Sequence, residues 1–164
     1  MKADGLKVHS VASLFPLMSS EELNGLAEDI KKNGLVNPIV IDRETGMVLD
    51  GRNRLQACRL AGVEPRFDEV KVDDPITYIV SLNLHRRHLD TGQRAMIAAK
   101  LANMPHRGDL TGKQAANLPL APVSQDQAAE LLRVSPRSVR DAKALLAASP
   151  KVAEQVGGRD GLSL

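Results

Sequence analysis

The spacing of apolar residues changes near residue 85, and this change constrains the fold more than any other feature of the sequence. Before it, segments with apolar residues at helical spacing alternate with short apolar runs, such as 38–41 and 47–49, which is typical of a mixed α/β domain. After it, only helical spacing recurs. We therefore expect an α+β protein with a small mixed α/β domain over 1–88 and an all-helical domain over 89–164.

Composition limits the class of protein. The single cysteine, Cys58, excludes an intramolecular disulfide. No apolar run approaches the roughly 20 residues that a membrane-spanning helix needs, and the amino terminus has no apolar signal region. We therefore expect a cytoplasmic protein without a membrane partner. One tyrosine, two phenylalanines and no tryptophan argue against binding of single strands by base stacking.

Capping and turn residues predict the element boundaries of the first half. Ser19 and Glu22 have the spacing of a capping box ahead of a helix that Gly34 ends. The two apolar runs flank a turn at 42–46, which predicts a β-hairpin. The remaining predicted elements are a helix over 52–61, a strand over 66–72 and a helix over 75–84.

The segment 124–140, SQDQAAELLRVSPRSVR, is the most informative stretch of the second half. Ser124 and Gln127 have the spacing of a capping box, and a Ser-Pro pair then restarts a helix. The small Ala128 and the apolar residues around it suit a tight crossing of two short helices. This pattern predicts a helix-turn-helix at 124–147.

The second of these helices has the polar side chains of a recognition helix in a major groove. The side chains expected to face DNA are Arg137, Ser138, Arg140 and Lys143. An ordinary pair of helices with a solvated basic face is the alternative interpretation. Lysine and arginine also outnumber acidic residues over 85–113. From that segment we expect Arg87 and Arg94 to contact DNA phosphates, unless they belong to a solvated basic face.

A glycine-arginine turn at 50–54, DGRNR, joins a predicted strand to the start of a helix. Free N–H groups at a helix start favour an anion. Gly51 lets the backbone approach that anion, and Arg52 and Arg54 add positive charge. The turn is suited to a phosphate of a nucleotide or of DNA, whereas arginines paired with surface acids are the alternative.

Three segments followed by this helix pair resemble, in order and spacing, the ParB family over 8–148. The segments are 34–41 (GLVNPIVI), 48–57 (VLDGRNRLQA) and 82–89 (LNLHRRHL). The resemblance implies a ParB/sulfiredoxin fold for the first domain, a helical DNA-binding domain after it, and CTP and Mg²⁺ as ligands. It implies nucleotide or phosphate contacts from Gly34, Asn37, Gly51, Arg52, Asn53, Arg54, Asn83 and Arg86, with Asn83 also helping to hold the metal. It also implies a homodimer on double-stranded DNA and a partition ATPase as partner.

The chain departs from the family pattern at three positions, and in the family the third of them, residue 82, is tied to hydrolysis. Arg52 stands where the phosphate loop of the family has glutamate, and Asn53 stands where it has its first arginine. Leu82 replaces the glutamate that precedes the asparagine of the third segment. Because leucine can neither orient water nor hold a metal, we expect nucleotide binding without rapid hydrolysis, and we assign no catalytic residue.

The leading hypothesis is a ParB-like, sequence-specific DNA-binding protein that acts in the partition of plasmid, chromosome or phage DNA, or in its regulation. Such a protein would be associated with the nucleoid or with a plasmid. Two alternatives stay open. One is a nuclease or nucleotide-dependent phosphotransferase on the same fold, for which Asp50 is the nearest candidate carboxylate. The other is a helix-turn-helix transcription regulator that binds no nucleotide.

Overall fold

The computed structural model describes residues 5–86, 89–106 and 122–148, with only the backbone described at 85 and 86. The helices are α1 (Ser20–Asn33), α2 (Arg52–Ala61), α3 (Pro75–Arg86), α4 (Thr91–Ala102), α5 (Gln125–Leu131) and α6 (Pro136–Ala148). The strands are β1 (Ile39–Asp42), β2 (Val48–Asp50) and β3 (Phe67–Val70). A 3₁₀ turn, Ala12–Leu14, precedes α1. These elements confirm the predicted mixed α/β first half, in which β3 is shorter than the strand expected over 66–72.

The three strands form one sheet in the order β2-β1-β3. β1 and β2 pair antiparallel, as the predicted hairpin requires, and the register shifts between Val40 and Ile41. β3 lies parallel to β1 on its other side. Antiparallel β2 returns the chain to the end of the sheet at which β1 begins, and α2 then connects β2 to β3 on the far side of β1. A single residue, Gly51, separates the end of β2 at Asp50 from the start of α2 at Arg52.

Capping boxes begin three of the described helices. In α1 the Ser19 hydroxyl accepts the N–H of Glu22, and the Glu22 carboxylate accepts the N–H of Ser19 in return. The same reciprocal bonds begin α4, from Asp90, and α5, from Ser124. These bonds satisfy N–H groups that have no partner within the helix, which explains why α1 and α5 begin where the sequence predicts.

Two apolar clusters form the core. The smaller cluster lies between α1, α2 and the sheet, and it includes Ile30, Ile39 and Leu55. The larger cluster includes residues from the segment before α1, from β2 and from α3, and it extends into α4, α5 and α6. Its largest fully buried members are Val11, Phe15, Leu49, Ile79, Met96, Leu101, Leu132 and Val139. Residues from both sides of the predicted boundary at 88/89 therefore share one apolar cluster. None of the described helices is long and apolar enough to cross a membrane.

Candidate functional site

A cleft of about 230 Å³ opens beside the start of α2. It is lined by Ala12, Met18, Leu26, Leu49, Asp50, Gly51, Arg52, Asn53, Arg54, Leu82 and Asn83. The cleft thus brings the glycine-arginine turn together with Asn83 of α3. Gly34 and Asn37 are not among its lining residues. They lie in the connection between α1 and β1, where Asn37 is exposed. The side chain of Arg86 lies outside the described residues.

The start of α2 differs from the capped starts of α1, α4 and α5. Its N-cap residue is Gly51, with φ 97° and ψ 23°, and no side chain caps the helix. The N–H groups of the first turn therefore lack the side-chain acceptor that is present at the starts of α1, α4 and α5. These groups, together with the helix dipole, favour an anion at this end of α2.

The side chain of Arg54 folds back across Gly51. Its Nη2 lies 2.8 Å from Oδ2 of Asp50, in an ion pair whose side chains are 19% and 13% exposed. A β-carbon at Gly51 would lie 3.0 Å from Arg54 Nη2 and 3.3 Å from Ile39 Cα. Because glycine has no β-carbon, the Arg54 guanidinium can occupy the space beside residue 51. The Nε of Arg54 is buried and has no hydrogen-bond partner among the described residues, so it is a donor that an anionic ligand could satisfy.

Arg52 and Asn53 bind the segment that precedes α1. Arg52 Nη2 donates to the carbonyl of Phe15 at 2.6 Å, and the N–H of Met18 donates to Oδ1 of Asn53 at 3.3 Å. These bonds hold residues 15–18 against the cleft. Two side chains that the resemblance assigns to a nucleotide therefore also shape one wall of the cleft, a role that the sequence analysis missed.

The α3 side of the cleft consists of Leu82 and Asn83. Asn83 is 6% exposed, and its Nδ2 donates to the carbonyl of Ile79 at 2.9 Å. This bond uses one of the two N–H donors of the amide, and Oδ1, the acceptor, is the atom suited to a cation. Asp50 is the one carboxylate among the described lining residues. No cluster of three His, Cys, Asp or Glu side chains arranged for a metal occurs in the described ranges.

Cys58 lies one turn beyond Arg54 on α2 and is fully buried. Burial raises the pKa of its thiol, and the nearby positive charge of Arg54 offsets part of that rise. A thiol with a raised pKa stays protonated at neutral pH, and the thiolate is the reactive species. Cys58 is therefore a buried core residue whose protonated thiol is poorly suited to nucleophilic attack.

A second candidate surface is formed by α5 and α6. Their contact buries the small Ala128 together with Val139. The hydroxyl of Ser135 accepts the N–H of Ser138 at 3.0 Å, which caps the start of α6. Gln125 Nε2 donates to the carbonyl of Pro136 at 2.9 Å. Bonds on both sides of the turn thus hold α6 in one orientation relative to α5.

The predicted DNA-facing residues of α6 differ in exposure. The side chain of Arg137 is 88% exposed, with Nε 4.0 Å from the carboxylate of Asp141. Arg140 is also exposed, whereas Lys143 is partly buried. The hydroxyl of Ser138 lies 2.8 Å from that of Ser135, so it belongs to the helix cap.

Of the two arginines expected to contact phosphates, Arg94 contacts the turn between α5 and α6. Its Nη1 donates to the carbonyl of Arg133 at 3.2 Å, and its Nη2 donates to Oγ1 of Thr91 at 3.4 Å. Arg87 lies outside the described residues. Arg133 has no distinctive signal in the sequence and becomes notable only through its backbone conformation.

The fold is similar to that of a Pnob8-like ParB-N domain. That structure matches with a TM-score of 0.57 and 17% sequence identity, covering 96% of this chain and 71% of that chain. The match confirms the ParB-type amino-terminal fold that the resemblance implies. No protein-family model matches the chain, and no curated protein is similar to it in sequence.

Two structures of the C-terminally truncated chromosome-partitioning protein ParB from Caulobacter crescentus give weaker matches. The one complexed with CTP-gamma-S has a TM-score of 0.38 and 19% identity, covering 88% of this chain and 81% of that chain. The one complexed with the centromeric parS site has a TM-score of 0.42 and 18% identity, covering 87% and 73%. At these TM-scores the likeness is too low to support a conclusion about this chain.

Proposed function

We propose that this protein is a ParB-like, sequence-specific binder of double-stranded DNA that acts in DNA partition or in its regulation. The observation that carries the proposal is the exposed basic side of α6, which presents Arg137 and Arg140 near the start of the helix. The opposite side of α6 buries Val139 and Ala142. The ParB-type fold of the chain supports the same function.

The dimensions of α6 suit a recognition helix. Its 13 residues span about 20 Å at 1.5 Å per residue, and the major groove admits an α-helix. The cap at Ser135 and the bond from Gln125 fix the end that would enter the groove. A helix held in this way can present Arg137 and Arg140 to base edges in a fixed register, as a homodimer on two half-sites would require.

Selection of DNA sites from a random library, with and without CTP and Mg²⁺, tests the proposal directly. At the selected site, Arg137→Ala and Arg140→Ala should each weaken binding by about 1–3 kcal/mol, or roughly 5- to 150-fold. Arg43→Ala is the matched control, because it removes an exposed arginine from the turn between β1 and β2. If both α6 variants bind the selected site as tightly as the parent and the control, α6 is not the recognition helix.

For the cleft, we propose a nucleoside triphosphate, with CTP named by the sequence resemblance. The uncapped start of α2 and the buried Nε of Arg54 supply donors for phosphate oxygens, so the residues present fit the anion. The cleft of about 230 Å³ lies below the roughly 300–1,000 Å³ of common ligand pockets, so it encloses only part of a nucleotide. Mg²⁺ would neutralise phosphate charge there, with Asn83 Oδ1 as its protein ligand.

The enzymatic alternative gains no support from the cleft. A phosphotransferase or nuclease needs a carboxylate that is free to act as a base or to hold a metal. Asp50 is bound to Arg54 at 2.8 Å, and Leu82 occupies the position of the family glutamate. A partition ATPase as partner, and association with the nucleoid or a plasmid, belong to the proposal through the family resemblance.

A further inference from the structure

The turn between α5 and α6 contains a residue in an unfavourable backbone conformation. Arg133 has φ 53° and is the one non-glycine residue with positive φ among those described. Its N–H donates to the carbonyl of Glu130 at 3.1 Å, and the N–H of Val134 donates to that of Ala129 at 3.0 Å. These bonds are those of a Schellman motif, in which glycine is favoured at the position of Arg133 and asparagine occurs less often.

The turn itself does not need the arginine side chain. Arg133 is exposed, and no described hydrogen bond or ion pair engages its guanidinium in residues 5–86, 89–106 and 122–148. Glycine would adopt the same conformation without a β-carbon close to the backbone. Arginine is therefore present against the backbone preference and without a compensating contact in the described protein, which points to a function outside the chain.

The position of Arg133 identifies a ligand for this guanidinium. Arg133 lies two residues before Ser135, the cap of α6. When a recognition helix enters the major groove with its amino-terminal end, the turn ahead of it lies beside the DNA backbone. Guanidinium groups bind phosphate oxygens through charge-assisted hydrogen bonds. We infer that Arg133 contacts a DNA phosphate and that Arg94 positions it, an inference that rests on the proposed DNA-binding function.

Arg94 acts on the backbone of Arg133. Its Nη1 donates to the Arg133 carbonyl at 3.2 Å, and its Nη2 reaches Thr91 within the first turn of α4. The cap at Asp90 holds that turn in place. This contact fixes the orientation of the peptide after Arg133, and with it the direction in which the arginine leaves the turn. Arg94 is accordingly a positioning residue.

Arg133→Gly separates a phosphate contact from a structural role. Glycine relieves the backbone conformation, so the melting temperature should be unchanged or higher. Binding to a random-sequence duplex should nevertheless weaken several-fold, and the slope of log K against log salt should fall in magnitude by about 0.9. Arg133→Lys, which keeps the charge, should keep the slope, as should the control Arg43→Ala. An Arg133→Gly variant with parental affinity and slope overturns the inference.

The double variant Arg94→Ala/Arg133→Gly tests the positioning role. Arg94→Ala alone should weaken duplex binding less than Arg133→Gly does. If Arg94 acts through Arg133, the double variant should have the salt slope of Arg133→Gly alone. If the salt slope of the double variant is smaller in magnitude than the parent's by roughly 1.8, two phosphate contacts have been lost. That result contradicts positioning and makes Arg94 a phosphate contact itself.

Duplex binding by the parent protein distinguishes failure of this inference from failure of the proposed function. If the parent binds no duplex, both are overturned. If parental binding depends on Arg137 and Arg140 but is unaffected by Arg133→Gly, the proposed function stands and this inference alone is overturned.

Discussion

Gly51 and Gly62 stand at the two ends of α2, and both have left-handed backbones, with φ 97° and φ 66°. At Gly51 an added β-carbon would meet the Arg54 guanidinium and the backbone of Ile39, whereas at Gly62 it would meet nothing within 4 Å. The two glycines therefore share one conformational requirement, and only Gly51 also has a steric requirement that involves the cleft.

The substitutions Gly51→Ala and Gly62→Ala distinguish the effect of backbone strain on stability from the effect of cleft geometry on nucleotide binding. Each substitution should lower the free energy of unfolding by about 1–2 kcal/mol because of the left-handed conformation, and Gly51→Ala should cost more because of crowding. Only Gly51→Ala should reduce the thermal stabilisation by CTP and Mg²⁺. Urea unfolding and thermal shift measure the two effects. Equal nucleotide stabilisation in both variants and the parent would show that no ligand binds at the start of α2.

At residue 82 the structure places a leucine in the cleft wall beside Asn83. Leu82→Glu should raise the rate of CTP hydrolysis while leaving CTP binding in place, because the carboxylate could orient water. Phosphate release and thermal shift measure the two properties, and Leu82→Gln is the control of equal size without the charge. Rapid CTP turnover by the unmodified protein would contradict the assignment, since another carboxylate would then perform the reaction.

The buried thiol of Cys58 predicts a pH dependence of stability and a low reactivity in the native protein. Because burial raises its pKa above the ordinary value of 9.0, the folded protein holds the thiol proton more tightly than the unfolded chain does. Its contribution to the free energy of unfolding is complete below the unfolded pKa and is lost as the pH rises from there through the higher folded pKa. Iodoacetamide should modify Cys58 slowly in the native protein and rapidly in urea. Fast native modification at neutral pH would show that the thiol is accessible and ionised.

At the scale of elements, the described helices differ in what accepts the N–H groups of their first turn. α1, α4 and α5 begin with capping boxes that satisfy their N–H groups internally. α2 begins at a glycine with no side-chain cap. A first turn without a side-chain cap suits an anionic ligand, and among these four helices the start without such a cap is the one beside the cleft.

Serine-to-alanine substitutions at a helix cap and in a helix interior test how much these caps contribute to the free energy of unfolding. Ser124→Ala removes the oxygen that accepts the N–H of Gln127 at 3.1 Å, and it should cost about 0.5–2 kcal/mol of unfolding free energy. Ser81→Ala is the control, because Ser81 lies inside α3 and its hydroxyl donates to the carbonyl of Tyr78. That change should be neutral or slightly stabilising. Equal effects in urea unfolding would contradict the importance of the cap.

At the scale of the whole molecule, the larger apolar cluster joins the two predicted domains. Leu49 in β2 and Leu132 after α5 belong to the same cluster, and both are fully buried. Leu49 also lines the cleft. The cleft and the α5–α6 surface are thus attached to one apolar core, which predicts that the described parts of the chain unfold together.

Leu49→Ala tests whether the described parts of the chain unfold cooperatively. The substitution should cost about 2–5 kcal/mol and should lower the stability of β2 and of α4–α6 together, as measured by hydrogen exchange across the chain. Leu60→Ala is the control, because Leu60 is 60% exposed, and it should change stability by roughly 0.5 kcal/mol or less. Two unfolding transitions, of which Leu49→Ala shifts only one, would show that the domains are independent.

The sequence by itself determined the order and type of the helices and strands from α1 to α3 and of the pair α5 and α6. The caps at Ser19 and Ser124, the glycine end at Gly34 and the β1–β2 hairpin were all predictable, because each depends on residues within a few positions of one another. The residues Gly51–Arg54 at the start of α2 were predictable for the same reason. Their meeting with Asn83 was expected only through the family resemblance, since that contact is formed by packing.

The tertiary structure alone decided which partners the polar side chains take. Arg52 reaches Phe15 across 37 positions, Asn53 accepts a bond from Met18 across 35, and Arg94 reaches Arg133 across 39. The shared apolar cluster and the left-handed Arg133 were equally absent from the sequence pattern. Local hydrogen bonds follow from the spacing of residue types, whereas a distant partner is chosen by the packing of whole elements, which no short segment encodes by itself.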